Sequence, residues 1–122
     1  MSKFAIRTLP TGIKFDLKAT NGQIIASSEL YKTRAACLKG IRSIQKNAPL
    51  AALEDQTAEE AIRRSNPKFE LYRDRSGQFR FRLRSPNGRI IAVSEGYVAK
   101  ASCENGIESV RKNAMEAEIT EE

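Results

Sequence analysis

Residues 79–97 read FRFRLRSPNGRIIAVSEGY. Phe79, Phe81 and Leu83 alternate with Arg80, Arg82 and Arg84, so an extended chain sends the apolar set to one side and the arginines to the other. The Asn87-Gly88 pair predicts a type I′ hairpin turn, whose two central residues both take positive φ, and the segment 90–93 predicts the returning strand.

Residues 13–31, IKFDLKATNGQIIASSELY, carry the same pattern. The Asn-Gly, Ile-Ile-Ala and Ser-Glu groups and the tyrosine fall at matching positions, so the stretch belongs to a duplicated unit. The copies run from Lys3 to Ala48 and from Lys68 to Ala114, with one residue inserted in the second between Tyr72 and Phe79. Upstream, Phe4 and Ile6, or Phe69 and Leu71, begin a short strand that turns through Pro10-Thr11-Gly12, or Asp74 to Gly77.

Downstream the period changes from two to 3.6. Cys37, Ile41, Ile44 and Ala48, matched by Cys103, Ile107, Val110 and Ala114, form the apolar stripe of a helix from about Thr33 to Lys46 and of its copy. Gly40 and Gly106 imply close approach of helix to sheet, among small residues that include Ala35 and Ala101. Asn47 and Asn113 are placed to end the helices in the left-handed conformation, and Pro49 blocks continuation of the first. Residues 50–54 and 117–120 offer a fourth strand to each copy. Thr57 to Arg64 predicts one or two helical turns capped by Thr57.

The expectation is an α+β single domain of two β-β-β-α repeats, residues 1–56 and 68–122, each becoming β3-α-β if its fourth strand forms, joined by a linker at 57–67. One antiparallel sheet carries two helices on one face. Ile25 and Ile91 fall on the opposite, open face if the Asn-Gly loops have two residues.

The paired patterns FDLKATNGQIIASSELY…GIRSIQKNA and FRFRLRSPNGRIIAVSEGY…GIESVRKNA resemble the YegP-like family of small, mostly bacterial proteins of unknown function. The resemblance implies two units, from tandem repeats or two subunits, that share one sheet and exchange their C-terminal strands. The piece after the first helix would then join the second unit, and the tail the first. It supplies no catalytic residues. The chain departs from the pattern in its long linker after Gln56 and in Ala99, which replaces Thr33 at the helix start.

Composition narrows the function. The 122 residues carry a net charge of +6, with two cysteines and no histidine. Separated cysteines without histidine argue against zinc, and the missing imidazole removes the usual base of Ser-His and Cys-His pairs. The expectation is a non-enzymatic binding or interaction module, without cofactor or metal. No apolar run approaches the ~18 residues of a membrane span, and MSKFAIRTLP lacks a signal-peptide core, so a cytoplasmic protein without a membrane partner is expected.

Two basic surfaces are candidates for contact with an anion. On the strands stand Lys14, Lys18, Arg80, Arg82, Arg84 and Arg89; the first helix carries Arg34, Lys39, Arg42 and Lys46. The simplest account of the strands is a solvated face, since Asp16 stands where the second copy has Arg82. The functional account is weak, nonspecific nucleic-acid binding through the phosphate backbone. For the helix, the alternatives are solubility, pairing with the acidic tail, or an acidic protein partner, including self-association. A pseudo-dimeric monomer fits better than an obligate oligomer.

A third candidate is the pair of Ser-Glu-x-Tyr loops, Ser28, Glu29 and Tyr31 with Ser94, Glu95 and Tyr97. They precede helices whose free amides attract small ligands or anions, and the third functional alternative, an enzymatic site, would need a cleft with a perturbed carboxylate, tyrosine or lysine at these loops. The structural alternative has Ser or Glu closing the turn and Tyr packing with its hydroxyl at the surface. Cys37 and Cys103 read as small buried apolar residues.

Overall fold

The computed structural model describes residues 1–122. The first repeat contributes β1 (Lys3–Leu9), β2 (Gly12–Lys18), β3 (Ile24–Ser27), α1 (Arg34–Asn47) and β4 (Ala52–Asp55). The second contributes β5 (Lys68–Arg73), β6 (Phe79–Arg84), β7 (Ile90–Val93), α2 (Lys100–Asn113) and β8 (Glu118–Glu121). All eight strands join one sheet in the order β4-β5-β6-β7-β3-β2-β1-β8.

The repeats meet at the sheet centre, where Ser27 of β3 pairs with Val93 of β7. Each repeat's last strand crosses to the other: β4 pairs with β5 and β8 with β1. Both of these pairings are parallel, whereas the six strands between them pair antiparallel. The sheet is therefore mixed, not wholly antiparallel: a strand that follows a long helical crossover, unlike one that follows a hairpin, can lie parallel to its neighbour.

Phe4, Phe15, Phe69 and Phe81 are fully buried, and their rings meet edge to face as the pairs Phe4–Phe15 at 5.7 Å and Phe69–Phe81 at 6.0 Å. Cys37, Ile41 and Ile44 of α1, with Cys103, Ile107 and Val110 of α2, join the same core. Gly40 and Gly106 permit close contact. A methyl group at Gly40 would overlap the Tyr31 hydroxyl, and one at Gly106 would sit 2.7 Å from that of Tyr97. Ala35 and Ala101, by contrast, face solvent.

Several local expectations are corrected. The Asn-Gly turns are not type I′, because no residue other than glycine has positive φ. The reverse turn begins one residue earlier than a type I′ turn on the Asn-Gly pair would: Gly22 donates to the Ala19 carbonyl and Gly88 to that of Ser85, both at 2.8 Å, and each glycine then takes positive φ. Pro86 favours this arrangement, since its fixed φ suits the first central position of an ordinary turn. The longer loop brings a register shift at Leu17/Lys18 and Leu83/Arg84. Such a bulge places successive residues on one side of a strand. Ile25 and Ile91 consequently lie in the core beside Ala26 and Ala92, not on the open face.

The helix ends differ as well. Asn47 and Asn113 are not left-handed; each side-chain amide donates to the carbonyl four residues back, of Ser43 and Ser109, at 2.8 Å. Both helices stop at the same place although Met115 replaces Pro49, so proline is not the only stop signal. Thr33 caps α1 by accepting from the Ala36 amide, while Ala99 provides no side-chain cap.

Residues 57–60 form turns and a bend, and residues 61–64 are irregular, rather than helix. Ile62 is exposed there, and a short helix without an apolar face to bury is unstable alone. Instead, Asp55 accepts from the amide and hydroxyl of Thr57, and the Arg64 amide donates to Glu54 at 2.7 Å.

Candidate functional site

The arginines of β6 alternate with core residues as the sequence predicts, but the surface they make is an ion-paired mosaic. In the β5–β6 ladder Glu70 stands opposite Arg82. Its Oε1 accepts from Nε of both Arg82 and Arg84 at 2.6 Å. Arg80 is held by Asp74 at 2.7 Å. Lys68 Nζ lies 2.9 Å from Glu54 and 3.4 Å from Glu70, and the Gln56 amide donates to both carboxylates.

Glu54 and Glu70 are each only 4% exposed. Burial pushes the Glu70 carboxyl up, but hydrogen bonds from Arg82 and Arg84 outweigh it and hold the group below its usual range. Hydrogen bonds from Gln56, Lys68 and the Arg64 amide draw Glu54 down to about 2. In the other half, Lys18 pairs with Glu122 at 3.1 Å and Asp16 with Arg7 at 3.0 Å. Lys14 has no carboxylate within 4.0 Å. A face neutralised in this way suits the solvated-strand account better than a phosphate-gripping stripe.

The Ser-Glu-x-Tyr loops are occupied by their own fold. Ser28 Oγ accepts from the Phe15 amide and donates to the Glu29 carbonyl; Ser94 repeats both bonds with Phe81 and Glu95. Tyr31 bridges to Ile13 and Tyr97 to Phe79, extending the sheet. The Tyr31 hydroxyl is packed against Gly40 rather than held at the surface. Glu29 pairs with Arg89, while Glu95 is exposed. Burial raises the pKa of both tyrosines and of Cys37, and pushes Cys103 up to about 11. A thiolate nucleophile needs the opposite shift.

The remaining candidates converge. Lys39, Arg42 and Lys46 of α1 line one groove together with Arg89. It has a volume of about 530 Å³ and runs between α1 and the β6–β7 turn. Ala36, Gly40, Pro86 and Ile91 contribute apolar surface to its lining, and Ser43, Asn47, Ser85 and Asn87 contribute polar surface. The four cationic side chains are exposed, and none of Lys39, Arg42 and Lys46 has a carboxylate within 4.0 Å. Pairing of the acidic tail with this helix extends only to Arg34, whose Nη2 lies 2.5 Å from Glu121.

The groove is composite: α1 comes from the first repeat and the turn from the second. Sequence reasoning selected Lys39, Arg42, Lys46 and Arg89 but did not join them, and it missed Ser43, Asn47, Pro86 and Ile91. The joining signal was the implied shared sheet, which lays the helix of one repeat over the last hairpin of the other.

The DUF1508 family, described as a domain of unknown function, matches residues 12–55 and 74–121. A UPF0339 protein of Pseudomonas aeruginosa is 32% identical over 122 residues, covering 99% of this chain and 97% of its own. A UPF0339 protein of Treponema denticola is 59% identical over 54 residues, which is 44% of this chain and 93% of that protein. The solution NMR structure of the E. coli protein of unknown function yegP superposes with a TM-score of 0.80 at 29% identity, covering 98% of this chain and 91% of that one. With both repeats matched, relatives aligned from end to end and the same fold, the chain belongs to the DUF1508 (UPF0339) family, which includes YegP.

Proposed function

We propose that the protein is a non-enzymatic binding module that takes an anionic partner in the groove between α1 and the β6–β7 turn. One observation carries the reading. Lys39, Arg42 and Lys46 lack acidic partners and edge a concave surface, whereas Arg80, Arg82 and Arg84 are already paired. Arg89 adds a fourth cation, because its ion pair with Glu29 is exposed and such pairs contribute little and exchange readily. Binding by such a site is electrostatic and weakens as salt rises.

The test is an NMR titration of labelled protein with polyglutamate and, separately, a single-stranded oligonucleotide, at low and then raised salt. Amide shifts confined to residues 36–47 and 85–91, lost at raised salt and in a Lys39→Glu/Arg42→Glu variant, are expected. Shifts centred on Arg80 and Arg82, or none with either polyanion at low salt, would overturn the assignment.

A further inference from the structure

Resting on that reading of the groove, we infer that its occupant is an acidic segment of a partner protein that carries one apolar side chain, bound once per chain. The cations do not converge on a point. Lys39 and Lys46 are seven residues apart on one helix, about 10 Å at 1.5 Å per residue. That spread matches several separate carboxylates better than a single phosphate.

Between the cations part of the lining is apolar, supplied by Ala36, Gly40, Ile91 and Pro86. An apolar side chain between acidic neighbours would cover these residues, whereas an ion alone would leave them wet. Single-stranded nucleic acid calls for something else, exposed aromatic faces on which bases stack. The groove's aromatic residue, Tyr31, is buried and stacked on Phe15 at 6.2 Å with an interplanar angle of 12°.

The duplication provides an internal comparison. The positions matching Lys39, Arg42 and Arg89 hold Asn105, Glu108 and Gln23, and only Lys46 keeps a cation, as Lys112. Ser102 stands where Ala36 lines the groove. The corresponding face of α2 therefore keeps one of the four cations, gains an acid and loses part of the apolar lining, which leaves one site in a molecule with two similar halves.

Calorimetric titration of the intact chain at low salt tests this with four probes. They are a glutamate-rich nonapeptide with a central leucine, the same peptide with serine for leucine, the leucine peptide with glutamines for glutamates, and an oligonucleotide matched in charge. The leucine peptide is expected to bind one to one and about tenfold more tightly than the serine peptide, since burying one leucine side chain supplies at least that factor. The glutamine peptide should not bind. Installing Gln23→Arg, Ser102→Ala, Asn105→Lys and Glu108→Arg together should raise the stoichiometry to two in a variant whose unfolding remains cooperative.

Equal affinity for the leucine and serine peptides, or tighter binding of the oligonucleotide, would overturn the peptide assignment and leave an anion groove. A stoichiometry that stays at one in the folded variant would overturn the claim that these side chains define the site. No binding of any probe would overturn both this inference and the groove reading beneath it.

Discussion

Glu70 receives two guanidinium groups and an ammonium within 3.4 Å, and that arrangement decides how the neighbouring strand is read. Viewed alone, FRFRLR is a row of positive charge. Viewed with its hairpin partner KFELYR, the row is mostly neutralised, because an acid on one strand and a base on the next lie side by side in a ladder. The alternation was legible in the sequence; the neutralisation required the register, and with it the identity of the cross-strand partner. Glu54, itself held by Lys68 of β5, extends the network to residues 57–67 through the Arg64 amide. Its depressed pKa means that ionised Glu54 contributes stability fully present above about pH 4.5 and lost as pH falls through about 2. In denaturant unfolding, Glu54→Gln is expected to cost about 1–3 kcal/mol at neutral pH and to flatten the acid-side decline in that window. At the helix–sheet contact, Gly40→Ala is expected to cost about 1–3 kcal/mol by overpacking. Tyr31→Phe in the same chain should restore part of that loss, because the overlapping hydroxyl is then gone.

The secondary elements were legible wherever apolar periodicity governed them. Strands and helices fell where alternation and the Cys-Ile-Ile stripe placed them, since burial of those side chains is the dominant favourable term. Turn details were not, because the Asn-Gly pair serves two kinds of hairpin and the choice lies in the preceding residues, where Ser85-Pro86 begins an ordinary reverse turn. The mistaken loop length then misdirected Ile25 and Ile91 by one residue, enough to reverse the side of a strand. Between the helices the sequence contrast at the first position has a direct consequence. Ala99→Thr should give α2 the cap that Thr33 gives α1, raising stability by about 1 kcal/mol and the melting temperature by several degrees. Thr33→Ala should lower it comparably.

At the scale of the whole molecule, the exchange of β4 and β8 ties each repeat to the other at the outer edge as well as at the centre. The resemblance made this crossing expected, but composition and periodicity alone did not, because they describe faces and not neighbours. The same arrangement explains why the groove was only half visible in sequence: its two walls lie some forty residues apart in the chain. Ending the chain after Ala117 removes β8 and uncovers the edge of β1, and unpaired strand edges invite association. That truncation is expected to lower the melting temperature and to produce concentration-dependent light scattering, whereas the full chain should scatter as a monomer. The first and last strands also lie side by side and run the same way, with Lys3 beside Glu118 and Ile6 beside Glu121. Tension applied between residues 3 and 121 therefore pulls along the strands and strains all of their mutual bonds in shear at once, instead of unzipping them singly. A small fold without a cross-link should thus resist stretching in an optical trap far better than its thermal stability alone suggests, since forced unfolding is governed by the barrier and not by the equilibrium.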